Sequence, residues 1–426
     1  MMRRIGEMAR LVRSERAVSV LWALVGLAGP TFLQLVYIVV AARVLGAEMT
    51  GNFFLVVSVA TIASSFVGLG GGGLVMRYAA RDSASAAAAF GRAQAMSFVT
   101  FPMLLPLVVA GAWFVTKGQI PVWVILLLGA SDLLAARMLT TSWSLFIALE
   151  EQVRASLLIC TMPLARLAAI AITALGPEDQ RLMIFSILYV VASFAVLVGA
   201  LLYVRSRIGP ARLTLRGFDR RSGASFSMTW LNAALQTESD KLLIGLFGGP
   251  AAMAVYGVAS RLMDGASMPP RALRVAFQSR LYREGAVGHA STFRLTVHLL
   301  PLAVIYGVAV WIGFWIMAPF IVWVFGEEFN QLTSVLPLLG ALPLLRSVSD
   351  YGAEIFVASD RPGVQALTQT FATVFRIVLG LVLIGAFGLM GAVSAALLMS
   401  LVSGIFLWAL AIGMNRSAMS ARGRAP

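Results

Sequence analysis

The sequence predicts an all-α integral membrane protein: twelve transmembrane helices in two six-helix lobes, related as a parallel repeat, around a central cavity. Three observations lead there. Of 426 residues, 59% are hydrophobic and 12% charged, with a mean hydropathy of +0.88; a globular domain carries roughly 25% charged residues and covers its surface with them. Apolar runs able to cross a bilayer, which takes about 20 residues for roughly 30 Å of hydrocarbon, recur along the whole chain. The longest polar interruption between them falls at the midpoint.

Bounded by Gly, Pro and charged residues, the runs cover about 18–42, 52–77, 92–115, 121–148, 155–175, 182–204, 223–247, 251–278, 295–318, 332–357, 363–386 and 388–413. The first is too long for a signal-peptide core and lacks a small-residue cleavage site, so it reads as a retained helix. An even number of spans puts both termini on one side. The segments on that side (1–17, 77–92, 154, 205–221, 280–294, 361 and 416–424) hold twenty-two arginines, and the opposite side holds Arg43, Lys117 and Arg181. Such an imbalance marks the arginine-rich side as cytoplasmic. It also accounts for the net charge of +14 without a nucleic-acid partner. The single cysteine, Cys160, and two histidines, His289 and His298, exclude a disulfide framework and make a metal centre unexpected.

The segment RSRIGPARLTLRGFDRRSG (205–223) carries six arginines and follows the sixth span. It divides the chain into an N-terminal lobe (1–204), a basic cytoplasmic linker (205–222) and a C-terminal lobe with a short tail (223–426). Its arginines anchor topology, with contact to anionic headgroups a secondary role. LGAEMTGNFFLVVS (45–58) and FGGPAAMAVYGVAS (247–260) echo each other, about 202 residues apart, at equivalent places in the two halves. Because six spans separate them, the lobes share one orientation.

ARVLGAEMTGNFFLVVSVATI, GLGGGGLVMRYAAR (68–81) and LQTESDKLLIGLFGGPAAMAVYGVASRL (235–262) resemble the polysaccharide transporter family. These are the O-antigen and exopolysaccharide flippases of the multidrug/oligosaccharidyl-lipid/polysaccharide superfamily. The resemblance extends over the chain and rests on Gly46 and Gly51, Arg77 closing span two, Asp240 and Lys241 in span seven, and Tyr256 opening span eight. It implies a bacterial inner-membrane protein that flips an undecaprenyl-pyrophosphate-linked oligosaccharide by alternating access. Its partners would be that lipid-linked oligosaccharide, membrane lipids and other polysaccharide-assembly proteins.

Ionisable residues at membrane depth carry the chemistry. They are Asp132 and Arg137 in span four, Arg166 in five, Glu238, Asp240 and Lys241 in seven, Arg261 and Asp264 in eight, Arg346, Asp350 and Glu354 in ten, and Arg376 in eleven. Each costs about 2.5–3.5 kcal/mol if left in hydrocarbon, so all twelve would cost about 30–40 kcal/mol, beyond a typical stability of about 5–15 kcal/mol. They must pair with one another or line a wet space. Arg346, Asp350 and Glu354, at i, i+4 and i+8, share one helix face. Arg271 and Arg274 share another, just after Pro269–Pro270, where the helix should kink or break.

Two readings stand side by side: ion pairs that lock helices together, and a hydrated cavity whose guanidinium forks match phosphate oxygens. On the second, Arg346, Arg137, Arg166, Arg261, Arg271, Arg274, Arg376, Arg77 and Lys241 bind substrate, although Arg77 ends a span and could simply snorkel. Asp132, Asp240, Asp264 and Glu354 couple transport to a proton or sodium gradient, and no cofactor is expected. GLGGGG (68–73) lacks the GK[ST] ending and preceding strand of a phosphate loop, so it reads as a place of close helix approach or bending. Pro337 and Pro343 free backbone carbonyls just before Arg346. No catalytic grouping appears, so a non-enzyme is expected. A cation-coupled drug or metabolite antiporter of the same superfamily is the alternative; a membrane polymerase or ligase would need a larger outer loop than this chain has.

Overall fold

The computed structural model describes residues 15–287, 289–358 and 362–422. Arg3, Arg4, Arg10, Arg13, Arg361 and Arg424 of the arginine-rich side lie outside the described residues. Those described fold into helices with no strand. The helices are α1 (Glu15–Ser64), α2 (Gly71–Arg81), α3 (Ala86–Val115), α4 (Val122–Ala148), α5 (Gln152–Thr173), α6 (Arg181–Ile208), α7 (Arg220–Ala266), α8 (Met268–Val287), α9 (His289–Phe325), α10 (Leu332–Leu339), α11 (Leu342–Ala358) and α12 (Pro362–Arg422). Trp315 (65% exposed), Ile316 (71%) and Trp323 (71%) on α9 are typical of the large apolar side chains left on the outside, as a lipid solvent allows. The protein is a multi-pass membrane protein.

Counted as continuous helices, the described residues hold nine candidate spans, fewer than the twelve expected. Three of them contain a glycine with non-helical dihedrals: Gly46 (φ 80°, ψ 170°), Gly249 (φ 80°, ψ 177°) and Gly388 (φ 55°, ψ −130°). Residues with a Cβ rarely adopt these conformations. Cut at those glycines, the nine helices become twelve segments. Gly46 and Gly249 bend almost identically and stand 203 residues apart, so the repeat register is 203, with Phe53 matching Tyr256, rather than about 202.

Three expected spans are interrupted. The second unwinds at 65–70 before α2, with Gly68 and Gly70 at positive φ. A Cβ on Gly70 would sit 2.2 Å from the Gly223 carbonyl oxygen, and one on Gly73 2.6 Å from the Phe226 ring. The glycine run is thus a turn packed against the start of α7. The eighth breaks at Ser267, beside Pro269–Pro270. Pro270 has no N–H for the Ala266 carbonyl, and the Tyr306 hydroxyl donates to that oxygen instead at 2.9 Å. The tenth breaks between α10 and α11, where Ala341 bonds Leu338 rather than Pro337; the Trp311 indole donates to the Pro337 carbonyl at 2.7 Å. Both of these carbonyls find a side-chain donor, as a dry environment favours.

The chain divides into two compact units, Met1–Glu238 and Ser239–Pro426. The 205–222 segment therefore packs within the first unit, and the changeover falls inside α7. In the first unit α1 packs on α5, α2 on α3 and α4, and α5 on α6, around Val75, Phe90, Met138, Phe146, Ala155 and Leu197. In the second, α9 and α12 pack on α11, with Ile355, Phe356, Leu407 and Ala411 between them.

Gly70→Ala should destabilise the protein by more than the roughly 1–2 kcal/mol of left-handed backbone strain, because the new methyl also meets the Gly223 backbone. Gly199→Ala, with nothing within 4 Å of its Cβ, should leave stability unchanged or slightly raised. Thermal unfolding of the two variants in detergent measures the difference.

Candidate functional site

In the first unit the centre of charge is Asp132. It lies on a π-helical turn, Ser131–Ala136, inside α4. Such a turn inserts a residue and re-aims the side chains on it, and it recurs at functional sites. Arg166 on α5 donates to the Asp132 carboxylate at 2.5 Å, and Tyr189 on α6 donates to both of its oxygens at 3.1 and 3.2 Å. The same guanidinium reaches Ser193 and Ser131, each at 3.3 Å, and lies over the Tyr189 ring at 4.2 Å. Tyr189 in turn packs edge-on against Phe53. The Tyr37 hydroxyl is buried with no hydrogen-bond partner. Charge, hydrogen bonds and ring contacts close this cluster on itself.

Arg137, next on α4, is placed differently. It is 7% exposed, yet no carboxylate pairs with it among the described residues. Its Nε donates to the Val67 carbonyl at 3.4 Å, an oxygen that lies where the chain leaves helix at 65–70. Its guanidinium stacks 4.6 Å from the Trp230 ring centroid, and Nη2 has no partner at all. A buried cation left in this way costs far more than a paired one. Gln94 on α3, 2% exposed, leaves both amide atoms unpartnered as well.

Glu238 accepts a 2.7 Å hydrogen bond from Ser58. Arg77 is exposed and donates to Ser222 at 3.1 Å, so it sits at the rim of the unit, in keeping with its place at the end of a span.

In the second unit Asp240 accepts from Arg376 Nε at 2.9 and 3.1 Å and also from Nη2, while Tyr256 donates to it at 3.0 Å. Tyr256 is the aromatic matched to Phe53 by the 203-residue repeat. Lys241, next to Asp240 in the chain, is also buried. Arg346 pairs with Asp264 at 2.9 Å. Arg274 pairs with Glu354 at 3.3 Å and more loosely with Asp350 at 3.9 Å. The i, i+4, i+8 row on α11 thus faces α7 and α8 and is spent on cross-helix pairs. Arg261 is half-buried and Arg271 exposed, and neither has a carboxylate partner among the described residues.

Apart from Arg77 and Lys241, the expected residues fall into two sets. Arg166, Arg274, Arg346 and Arg376 are each neutralised by an acid, and those acids include all four expected to couple an ion: Asp132, Glu354, Asp264 and Asp240. Arg137, Arg261 and Arg271 have no carboxylate partner among the described residues. Tyr189, Tyr37, Trp230 and Gln94 were not anticipated. Gln94, a lone amide in an apolar span, is the one whose sequence context carried a signal.

Residues 18–282 match the sequence profile of a family described as polysaccharide biosynthesis protein. No curated protein sequence matches the chain. Among solved structures, the inward-facing conformation of a multidrug resistance MATE family transporter of the MOP superfamily is similar over 93% of this chain and 99% of that one, with a TM-score of 0.75 at 16% identity. An outward-facing conformation of such a transporter is similar over 98% and 99%, with a TM-score of 0.63 at 15% identity. A MOP superfamily transporter from Pyrococcus furiosus, described as having a binding pocket of reversed polarity, is similar over 98% of each chain, with a TM-score of 0.54 at 13% identity. At such identities the likeness concerns the fold. With more than half of its length matched by the family profile, the chain belongs to the polysaccharide biosynthesis protein family and has the fold of the MATE transporters.

Proposed function

We propose that the protein is a flippase that moves an undecaprenyl-pyrophosphate-linked oligosaccharide across the bacterial inner membrane by alternating access, from the cytoplasmic to the periplasmic leaflet, for surface polysaccharide assembly. Both termini are cytoplasmic in this reading. The observation that carries it is Arg137: a guanidinium buried in a membrane protein, stacked on Trp230, with one nitrogen unpartnered and no carboxylate among the described residues to answer its charge. A pyrophosphate supplies the missing anion in the geometry a guanidinium prefers. Membership of the polysaccharide biosynthesis protein family supports the same substrate class.

The MATE-like fold favours a second reading, a cation-coupled drug antiporter. Such a carrier needs a carboxylate available to a cationic substrate. Here Asp132, Asp240, Asp264 and Glu354 are each held by an arginine, and Glu238 accepts from Ser58. The pairing suits coupling by exchange. A proton or sodium ion that takes a carboxylate releases its arginine, and the freed guanidinium then offers a second contact to phosphate. Arg166, Arg274, Arg346 and Arg376 bind substrate in this way, while Arg137, Arg261 and Arg271 need no release.

Arg137→Ala should abolish polymer export while the protein still inserts, with lipid-linked repeat units accumulating in the inner leaflet; Arg137→Lys should restore it only in part, because an ammonium lacks the fork. Normal polymer output from Arg137→Ala, or a changed drug sensitivity in place of the accumulation, refutes the flippase reading.

Asp240→Ala strands the Arg376 charge and should cost about 3–5 kcal/mol of stability. The double variant Asp240→Leu with Arg376→Met should recover most of it. If the pair couples transport, that folded double variant exports without responding to an imposed proton or sodium gradient; if the pair only locks helices, the response stays as in the wild type.

A further inference from the structure

The segment 205–221 is arginine-rich, yet it is held in place along its length. At its start, Glu151 accepts from Arg207 at 2.5 Å and from Arg154 at 2.7 Å. In its middle, the chain presses on α3: a Cβ on Gly91 would lie 2.2 Å from the Arg212 carbonyl oxygen. At its end, Tyr78 donates to Asp219 at 3.4 Å and Arg77 donates to Ser222 at 3.1 Å. Arg77 and Arg92 both lie 6.0 Å from the Tyr78 ring centroid. Hydrogen bonds from Ser222 hold the Asp219 carboxyl below the usual carboxylate range, so this one acid of the segment stays ionised and keeps α7 capped.

What this anchored strip presents outward is basic and apolar together. Arg205, Arg212, Arg216, Arg220 and Arg221 are exposed, and no carboxylate pairs with them among the described residues. Between Arg212 and Arg216 stand Leu213 and Leu215, 62% and 40% exposed. The strip joins two candidate membrane spans, one ending at Ile208 and the next starting at Arg220, so its place in the chain is beside the headgroup layer. Arginines suit anionic headgroups there, and leucines suit the acyl boundary just below. A topology anchor needs only the charges; it has no use for a fixed backbone or for two outward leucines.

We infer that residues 205–221 form a preformed docking strip for the anionic phospholipid headgroups of the bilayer itself, with Arg212 and Arg216 holding phosphates and Leu213 and Leu215 entering the acyl boundary. The inference rests on the membrane-spanning fold and not on what is transported.

Hydrogen exchange on the full-length protein in nanodiscs tests it. The amides of 211–215 make no hydrogen bond among the described residues, so their exchange reports cover by lipid. In nanodiscs of phosphatidylcholine mixed with phosphatidylglycerol they should exchange at least about tenfold more slowly than in phosphatidylcholine alone, and added salt should erase the difference. Arg212→Gln with Arg216→Gln should lose that protection while melting at the wild-type temperature in phosphatidylcholine. Equal exchange of the wild type in the two nanodiscs overturns the proposal without touching the flippase reading. Equal protection by inorganic pyrophosphate in phosphatidylcholine nanodiscs also overturns it, because the strip would then be a site for soluble anions.

Discussion

An ionised side chain cannot be left alone in hydrocarbon, and the rest of this structure follows from that constraint. Asp132 with Arg166, Asp240 with Arg376, Asp264 with Arg346 and Glu354 with Arg274 each join charges from different helices. Each bond fixes a distance between helices that packing of equally apolar surfaces would leave loose, since lipid offers Leu and Val nearly the same environment as a neighbouring helix does. Tyrosines complete the two most buried pairs, Tyr189 at Asp132 and Tyr256 at Asp240. Arg137 stands out because, among the described residues, it is a deeply buried arginine without a carboxylate partner.

The same accounting governs the backbone. At three breaks a side-chain donor meets a carbonyl: Tyr306 the Ala266 oxygen, Trp311 the Pro337 oxygen and Arg137 the Val67 oxygen. The last case ties the glycine-rich turn to Arg137. The glycine-rich turn exposes a carbonyl that orients Arg137 through Nε, and it does so without consuming the second guanidinium nitrogen. The stretch before the glycine run thus meets Arg137 through a backbone carbonyl.

Much of this architecture was legible in the sequence. The span positions, the glycine turn at 68–73, the break at Pro269–Pro270 and the echo between 45–58 and 247–260 follow from hydropathy and from the stereochemistry of Gly and Pro, which act locally. The helix junctions were less legible, because at Gly46, Gly249 and Gly388 two helices meet at a single non-helical glycine with no loop between them. The site was legible as a set of residues but not as an arrangement. Arg346 and Arg137 were both read as anion ligands; the structure pairs Arg346 with Asp264 and leaves Arg137 buried with no carboxylate partner among the described residues.

Composition and periodicity alone therefore determined that this chain lives in a membrane, where its helices lie and that its deep charges need partners, because transfer free energy depends on what each residue is. Tertiary structure decided which charge meets which, and which one is left over. Pairing depends on the relative rotation and depth of helices distant in sequence, which are set by side-chain packing and by single backbone bends that no hydropathy pattern encodes.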